Sequence, residues 1–343
     1  MGNLYQNNLD LSRTPSFINY IDSKSSKVLL HYGDIAITLT GTNNKRDFGY
    51  SYMFTTEQNL LLNQRCGLIR TEHNPYFVFN LVKTNSFLNQ FFESSTGGTG
   101  NQANVSTKSM ESFSVYIPKS KEQRKIADLL RLIDERIATQ NKIIDKMQSL
   151  IKGIVDCTIL RKEKNAIVGD VCSISEQIRA EANIDDIITV RLHGNGVCKS
   201  SAENLQLGAT QYYRRRAGQL IYGKQNFHNG AIGIVPISLD NGITSKDIPS
   251  FDIDEMKCNS VYLLAQLQSP QYYKPAEALT TGTGSKRLKE ETFLKLPIVL
   301  PNKREQDNIA VLIHRASMNL DHAKRLLELL SIQKQFLLRQ MFI

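Results

Sequence analysis

The stretch Pro118–Gly153 reads PKSKEQRKIADLLRLIDERIATQNKIIDKMQSLIKG and decides how the chain folds. Its apolar residues recur at alternating steps of four and three, interrupted only by Gln140, which is the heptad seam of a long helix. The seam positions are Ile126, Leu130, Ile133, Ile137, Ile144, Met147 and Ile151. A lone apolar stripe in water forgoes roughly 25 cal/mol for each Å² left exposed, so this helix needs a partner.

The chain supplies that partner itself, as the stretch Pro301–Ile343. Shifted back by 183 residues, Pro301 falls on Pro118, and the pairs Glu-Gln and Ile-Ala that follow coincide as well. The seam of this second copy is Ile309, Ile313, Ala316, Leu320, Ala323, Leu327 and Leu330. Two copies of one amphipathic helix in one chain predict an intramolecular coiled coil.

The regions before the two helices also repeat. In the first, we expect a half-buried strand over 35–40, a helix over 77–92 and a short strand over 113–117. In the second, Gly218 falls on Gly33 at an offset of 185 and Thr283 falls on Thr99 at an offset of 184. A constant order with a slowly changing offset is typical of a duplication, so we predict an α+β chain with two similar α/β domains.

The predicted boundaries are 1–117 for the first domain, 118–160 for the first long helix, 161–300 for the second domain and 301–343 for the second helix. The second domain opens near Ala166, and at these offsets the first would open roughly 20 residues before Met1. We therefore expect the first domain to lack its first strand.

The charge of the chain points to a polyanionic partner. The formal net charge is +9 over 343 residues, and the excess lies on the helices, with +5 over 119–165 and +3 over 303–343. A basic helix face is also compatible with simple solvation. No apolar run is long enough for a membrane span, no secretory signal opens the sequence, and the five cysteines are scattered, so the expected location is the cytoplasm.

Four polar stretches are candidates to face that partner: 41–46, 96–102, 211–216 and 281–287. Glycine lets the backbone approach a phosphate, while amide and basic side chains contact phosphates or base edges. Each stretch alone also fits an ordinary solvated loop. The candidate DNA-binding residues, with the nearby lysine 224 included, are Thr42, Asn43, Asn44, Lys45, Arg46, Thr99, Asn101, Gln102, Arg214, Arg215, Arg216, Lys224, Thr283, Ser285, Lys286 and Arg287.

Signals of catalysis fail on inspection. No GxxxxGK[ST] phosphate loop occurs, and Asn74-Pro75-Tyr76-Phe77 lacks the second proline of the adenine methyltransferase motif. The acidic residues Asp252, Asp254 and Glu255 fit a solvated strand end better than a nuclease site. The histidines show no metal-ligand spacing. We therefore predict no catalytic residues, no metal site and no cofactor.

With this order of domains and helices, the chain resembles the specificity subunits of type I restriction-modification systems. The motifs that carry the resemblance are Ile117-Pro118 and Leu300-Pro301 at the helix starts, the Glu-Gln and Ile-Ala pairs that follow, and the Thr-Gly loop ahead of each helix. The resemblance implies two target-recognition domains held apart by an antiparallel pair of long helices. About 35 helical residues span roughly 50 Å, comparable with one and a half turns of B-DNA.

The resemblance also implies partners and a division of labour. Each domain would read one half of a split double-stranded DNA target, two modification subunits would dock on the helices and methylate adenine, and restriction subunits would cleave. This chain would then be a non-catalytic subunit. Two alternatives stay open: a coiled-coil scaffold that joins two protein-binding domains, and a metal-dependent nuclease.

Overall fold

The computed structural model describes residues 3–13, 16–56, 59–97, 102–200, 210–282 and 286–342. Short elements fill the region before the first long helix. They are β1 (Leu4–Tyr5), β2 (Asn8–Leu9), β3 (Ile35–Thr38), β4 (Thr40–Thr42), β5 (Ser51–Met53), β6 (Cys66–Ile69), α1 (Pro75–Leu81), α2 (Asn85–Glu93), β7 (Gln102–Asn104) and α3 (Thr107–Glu111). Helix α4 (Ser120–Val155) follows and ends in a π-helical turn, Asp156–Leu160.

The second region runs from this turn to the C-terminal helix. Its elements are β8 (Ala166–Ile167), β9 (Cys172–Ile174), β10 (Arg179–Ala180), β11 (Ile188–Val190), β12 (Val197–Lys199), β13 (Tyr212–Arg214), β14 (Leu220–Tyr222), β15 (Ile232–Ile234), β16 (Ile243–Ser245), β17 (Ser250–Ile253), α5 (Ser260–Leu267), α6 (Pro270–Tyr273), α7 (Glu290–Leu294), β18 (Pro297–Ile298) and α8 (Lys303–Met341).

The chain divides into two compact units, and the division falls inside each long helix. Unit 1 comprises Met1–Asn141 and Arg325–Ile343, and unit 2 comprises Lys142–Lys324. Each unit therefore contains one α/β region, the beginning of one long helix and the end of the other.

In unit 1 the central strand is β3, paired antiparallel with β5 on one side and β6 on the other. The strand predicted over 35–40 forms as β3 and the start of β4, but the expectation that it is half-buried is wrong, because every residue of β3 is buried. The predicted helix over 77–92 is wrong in one respect, because the chain forms α1 and α2 in its place. Thr84 separates them, since its hydroxyl accepts the N–H of Phe87 at 3.3 Å and caps the second helix.

In unit 2 the order β15-β14-β17-β9 places the corresponding strand, β14, against β15 and β17. The repeat extends to backbone detail. Gly33 and Gly218, each just before the central strand, adopt φ of +85° and +87°, a conformation that favours glycine. The N–H of Gly33 donates to Phe54 at 2.8 Å, and that of Gly218 donates to Val235 at 2.9 Å.

A polar contact beside these glycines has the same geometry in both units, but its acceptor is a carboxylate in unit 1 and a neutral amide in unit 2. The Asp34 carboxylate accepts the N–H of His31 at 2.8 Å, and the Gln219 side chain accepts the N–H of Arg216 at 2.9 Å. Asp34 also pairs with Arg70, whereas Gln219 donates to Asp252 at 2.9 Å. Burial opposes ionisation of Asp34, but the hydrogen bonds from Arg70 and from His31 outweigh it and lower the pKa of Asp34.

The long helices bury their predicted seams and run antiparallel within each unit. Every predicted seam residue of α8 is buried or half-buried. In unit 1, Ile126 and Leu130 near the start of α4 share a core with Leu337 and Leu338 near the end of α8. In unit 2, the core joins Val155 at the end of α4 to the start of α8. This arrangement is the α+β fold with an antiparallel helix pair that the sequence predicts.

The short strand expected over 113–117 does not form. Its counterpart in unit 2, β18, is a strand because β8 pairs with it, with Pro297 opposite Ile167. In the described part of unit 1 no strand pairs with Val115 or Tyr116, which remain 42% and 74% exposed. An extended segment without a ladder partner is not a β-strand.

Candidate nucleic-acid interface

The turn that follows the central strand of unit 1 is built around Asp47. The carboxylate of Asp47 accepts the N–H of Thr42 at 2.6 Å and its hydroxyl at 2.9 Å, and these hydrogen bonds lower the pKa of Asp47. The N–H of Arg46 closes the turn by donating to the Thr42 carbonyl at 2.9 Å. The turn residues 43–46 are exposed. The guanidinium carbon of Arg46 lies 5.0 Å from the ring centre of Phe92, a cation–π contact that orients it.

The second predicted loop of unit 1 lies beside this turn. Strand β7 pairs with β4, which places Gln102 opposite Thr42. The hydroxyl of Ser95, on the other side of the glycine loop, donates to the Asn43 side chain at 3.3 Å. Thr99 and Asn101 lie outside the described residues. The structure therefore brings Thr42, Asn43 and Gln102 together, although they come from stretches about 60 residues apart.

The equivalent loop of unit 2 is closed by its own backbone. The N–H of Thr281 donates to Arg287 at 3.0 Å, and the N–H of Arg287 donates back at 2.9 Å. Lys286 and Arg287 are exposed next to this closure, while Thr283 and Ser285 lie outside the described residues. The loop thus presents two cations at its described end.

Asp247 connects this loop to the strand region of unit 2. Its carboxylate pairs with Arg287 at 3.1 Å, and its carbonyl accepts the N–H of Lys224 at 2.9 Å. The carbonyl of Lys224 in turn accepts the N–H of Leu288 at 2.9 Å, as Leu39 accepts that of Val105 in unit 1. In both units, therefore, a residue one or two positions after the central strand holds the end of the glycine loop.

Lys224 is less available than the sequence indicates. Its side chain is 12% exposed and its ammonium lies 2.7 Å from the carboxylate of Glu290. A phosphate contact by Lys224 would require this pair to open. The candidate role of Lys224 remains a prediction, and the structure adds a local role in fixing the loop.

The three consecutive arginines after Tyr213 separate in the fold. Arg214 and Arg216 are exposed, and Arg216 lies 3.9 Å from the Asp252 carboxylate. Arg215 is fully buried. It donates to the hydroxyl of Thr244 at 2.7 Å, to the hydroxyl of Ser250 at 3.0 Å and to the carbonyl of Ile248 at 3.0 Å.

The expectation that Arg215 contacts DNA is therefore corrected. Its guanidinium is inside the domain, its donors are satisfied by protein acceptors, and burial lowers the pKa of Arg215 to about 10. The side chain stabilises the turn between β16 and β17, which carries Asp247. Composition alone did not separate Arg215 from its neighbours, because three adjacent arginines look alike in a sequence.

A cavity of about 590 Å³ lies beside Arg214, and no pattern in the sequence predicts it. Strand β10 pairs with β13, which brings Arg179 opposite Tyr213, and both Arg179 and Lys199 line the cavity. The acidic lining residues are Glu181, Asp185, Asp186 and Asp240. Carboxylates repel phosphate but accept hydrogen bonds from the amino group of cytosine, so this mixed lining suits base edges better than the backbone. The signal was hidden because the lining comes from distant strands.

Two further observations concern the described residues alone. In the ranges that the structure describes, no helix is long and apolar enough to cross a membrane. Among the same residues, no three histidine, cysteine or acidic side chains are grouped so that they could hold a metal ion.

Comparison with known proteins gives a consistent result. Residues 4–149 match the family model "Type I restriction modification DNA specificity domain". The chain is 20% identical over 321 residues to the type I restriction enzyme MjaVIII specificity subunit of Methanocaldococcus jannaschii, covering 85% of this chain and 74% of that protein.

Solved structures share the fold. The S subunit of a type I restriction-modification system from M. genitalium superposes with a TM-score of 0.61 at 13% identity, covering 92% of this chain and 84% of that one. A chain from a structural study of type I restriction-modification assembly gives 0.51 at 13% identity, covering 92% and 82%.

The class defined by the fold is a duplicated α/β protein on an antiparallel helix pair, the architecture of solved type I S subunits. The family model over residues 4–149, the relative and the shared fold together show that the chain is similar to type I restriction-modification specificity subunits.

Proposed function

We propose that the chain is a non-catalytic DNA reader that selects the target of a type I restriction-modification complex. One observation carries this proposal: the same arrangement, a glycine loop held against a residue one or two positions after the central strand, is built in both units. Backbone contacts from Leu39 to Val105 and from Lys224 to Leu288 have equal lengths, 2.9 Å. A duplicated polar surface fits a target with two half-sites.

Within each surface, cations and amides have different tasks. Lys45, Arg46, Lys286 and Arg287 are exposed and bind phosphates, which sets the register of the protein on DNA. Asn43 and Gln102 in unit 1, and the mixed-charge cavity beside Arg214 in unit 2, contact base edges. The two units differ in these side chains, so the two half-sites differ in sequence. The long helices fix the spacer between them.

The reaction belongs to partner subunits. Two modification subunits, which methylate adenine, bind the long helices, and restriction subunits join the same assembly. Support comes from apolar side chains that remain exposed along α8, away from its buried seam. They are Val311, Leu312, Met318, Leu326, Leu329, Ile332 and Phe336. Exposed apolar rows of this kind mark protein-binding surfaces. The proposed location is the cytoplasm, where target DNA is accessible.

The proposal is tested by DNA binding across a salt series, with the modification subunits present. The double variants Arg214→Ala with Arg216→Ala, and Lys286→Ala with Arg287→Ala, should bind more weakly. Each should also flatten the dependence on salt, by about 0.9 in log–log slope for every phosphate that the variant no longer neutralises. Lys274→Ala with Lys295→Ala, two exposed cations of unit 2 outside the candidate surface, is the matched control.

The same exposed apolar row favours a second candidate, a coiled-coil scaffold that joins two protein-binding domains. A scaffold binds its partners without preference for DNA sequence. If the assembled complex binds specific and scrambled DNA equally, and all three double variants behave alike, the scaffold replaces the DNA reader.

A further inference from the structure

Unit 2 shows how the segment after a long helix completes the domain that follows it. Residues 164–168 run along the stretch before α8. The N–H of Asn165 donates to Ile298 at 3.1 Å, and the N–H of Val168 donates to Leu296 at 2.9 Å. The Asn165 amide donates to the carbonyl of Leu300 at 3.0 Å and accepts its N–H at 2.8 Å. The side chain of Val168 is fully buried.

Unit 1 has the same receiving stretch, and no described residue pairs with it along 115–117. Phe113 is anchored as its counterpart is, with its N–H donating to Met110 at 3.2 Å, as Leu296 donates to Phe293 at 3.0 Å. Beyond it, the backbone groups of 115–117 make no hydrogen bond to any described residue. Tyr116 is 74% exposed, whereas Val299 at the equivalent position is 5% exposed.

A groove lies along this stretch of unit 1. It is lined by Leu81, Phe87, Val115, Tyr116, Met341 and Phe342, among others. At an offset of 185, Phe87 corresponds to Tyr272, and the ammonium of Lys164 lies 5.8 Å from the Tyr272 ring centre. The groove is therefore located where unit 2 holds the segment that begins at Lys164.

Unit 1 also has a β-sheet edge that is unpaired among the described residues. In unit 2, β9 pairs with β17, with Phe251 opposite Ile174. The counterpart of β17 in unit 1 is β6, which among the described residues pairs only with β3. An exposed sheet edge is a template for an added strand. The strand that would fill it follows the groove segment directly in unit 2.

We propose that the groove and the open edge of unit 1 form one binding site for an extended polypeptide segment. The occupant has the chemistry of residues 164–175: a cation, then an asparagine, then β-branched residues that pair as strands. The cation lies over Phe87, the asparagine amide clamps both backbone groups of Ile117, and an apolar side chain enters the core. This is strand addition, in which main-chain hydrogen bonds give affinity and side-chain pockets give selectivity.

The test uses a fluorescent peptide of residues 164–175, KNAIVGDVCSIS with Cys172→Ala against oxidation, titrated onto the full chain. We expect saturable binding below about 1 mM, a range accessible to anisotropy. The peptide with Asn165→Ala should bind at least about tenfold more weakly, because Ile117 then lacks its polar partner. A scrambled peptide should not bind.

Protein variants locate the binding. Val115→Asp places a charge in the groove at a position that is 42% exposed and should abolish binding without unfolding the domain. Leu11→Asp, at 46% exposure in the same unit, should leave binding unchanged. Absence of saturable binding, or binding that survives Val115→Asp, overturns the proposal. DNA recognition is not needed in either measurement, so the outcome is independent of the proposed function.

Discussion

The side chain of Gln123 accepts the backbone N–H of Asn74 at 3.0 Å, which ties the first turn of the long helix α4 to the N-cap of α1. Gln123 also donates to the carbonyl of Pro118 at 2.8 Å. The same contacts recur in unit 2, where Gln306 accepts the N–H of Asn259 at 2.9 Å and donates to Pro301 at 2.8 Å. The glutamine five residues after each proline is thus a structural clamp between helix and domain.

Removing the clamp should destabilise the protein. Gln306 is 1% exposed, and Gln306→Ala leaves the N–H of Asn259 and the carbonyl of Lys257 without their partner. Each unsatisfied buried group costs about 1–3 kcal/mol. We expect the midpoint of chemical denaturation to fall, while Gln333→Ala, on an exposed face of the same helix, should leave it unchanged. Equal midpoints for the two variants would contradict the clamp.

Replacing Arg214 should affect DNA binding, whereas replacing Arg215 should affect the stability of the fold. Arg215→Ala removes the donor to the buried hydroxyls of Thr244 and Ser250 and one of the two donors to the carbonyl of Ile248, and it should cost roughly 3 kcal/mol of unfolding free energy. Arg214→Ala, at an exposed position, should not change stability but should weaken DNA binding. Denaturation curves and DNA titrations on both variants check this. An Arg215→Ala protein as stable as the wild type, yet defective in DNA binding, would restore a direct DNA role for Arg215.

Lys83 should make the stability of unit 1 depend on pH. Its ammonium lies 3.3 Å from the ring centre of Phe79, and burial, together with the nearby charge of Lys334, lowers the pKa of Lys83 to about 7 from its ordinary value of 10.5. Between these two values the unfolded chain holds a proton that the folded chain has released. The contribution of Lys83 to the free energy of unfolding therefore rises as the pH increases from about 7 to 10. Below pH 7 the folded and unfolded chains both carry the proton, so this contribution no longer changes with pH.

The check compares denaturation midpoints at pH 7 and pH 9.5. The wild type should gain stability relative to Lys83→Met over this interval, and Lys45→Met, at an exposed position, should follow the wild type. Parallel pH profiles for the wild type and Lys83→Met would show that Lys83 does not titrate in this range.

The sequence predicted what periodicity and repetition encode. The helix seams, the duplicated order and the matched glycine loops all follow from spacings that are visible in one dimension. The burial of Arg215 did not follow, because its acceptors Thr244, Ile248 and Ser250 are about 30 residues away. The strand expected over 113–117 failed for a related reason: a strand needs a ladder partner, and propensity does not say whether one is present.

Strand pairing also decides which of the candidate DNA-binding residues lie close together. Thr42, Asn43 and Gln102 meet because β4 pairs with β7, and strand register is a property of the folded sheet. The cavity beside Arg214 was invisible because its walls come from β10, β13 and residues near β16. Pairing between distant strands thus decides which of several similar polar residues share a surface.

The most direct test of the central claim is selection of bound sequences from a random double-stranded DNA library by the complex assembled with modification subunits. The wild type should enrich one bipartite motif, with two half-sites at a fixed spacing. The variant Arg214→Ala, beside the cavity of unit 2 that is proposed to contact base edges, should weaken or relax one half-site and leave the other unchanged. Failure to enrich any motif, or an equal change in both half-sites, would contradict the account.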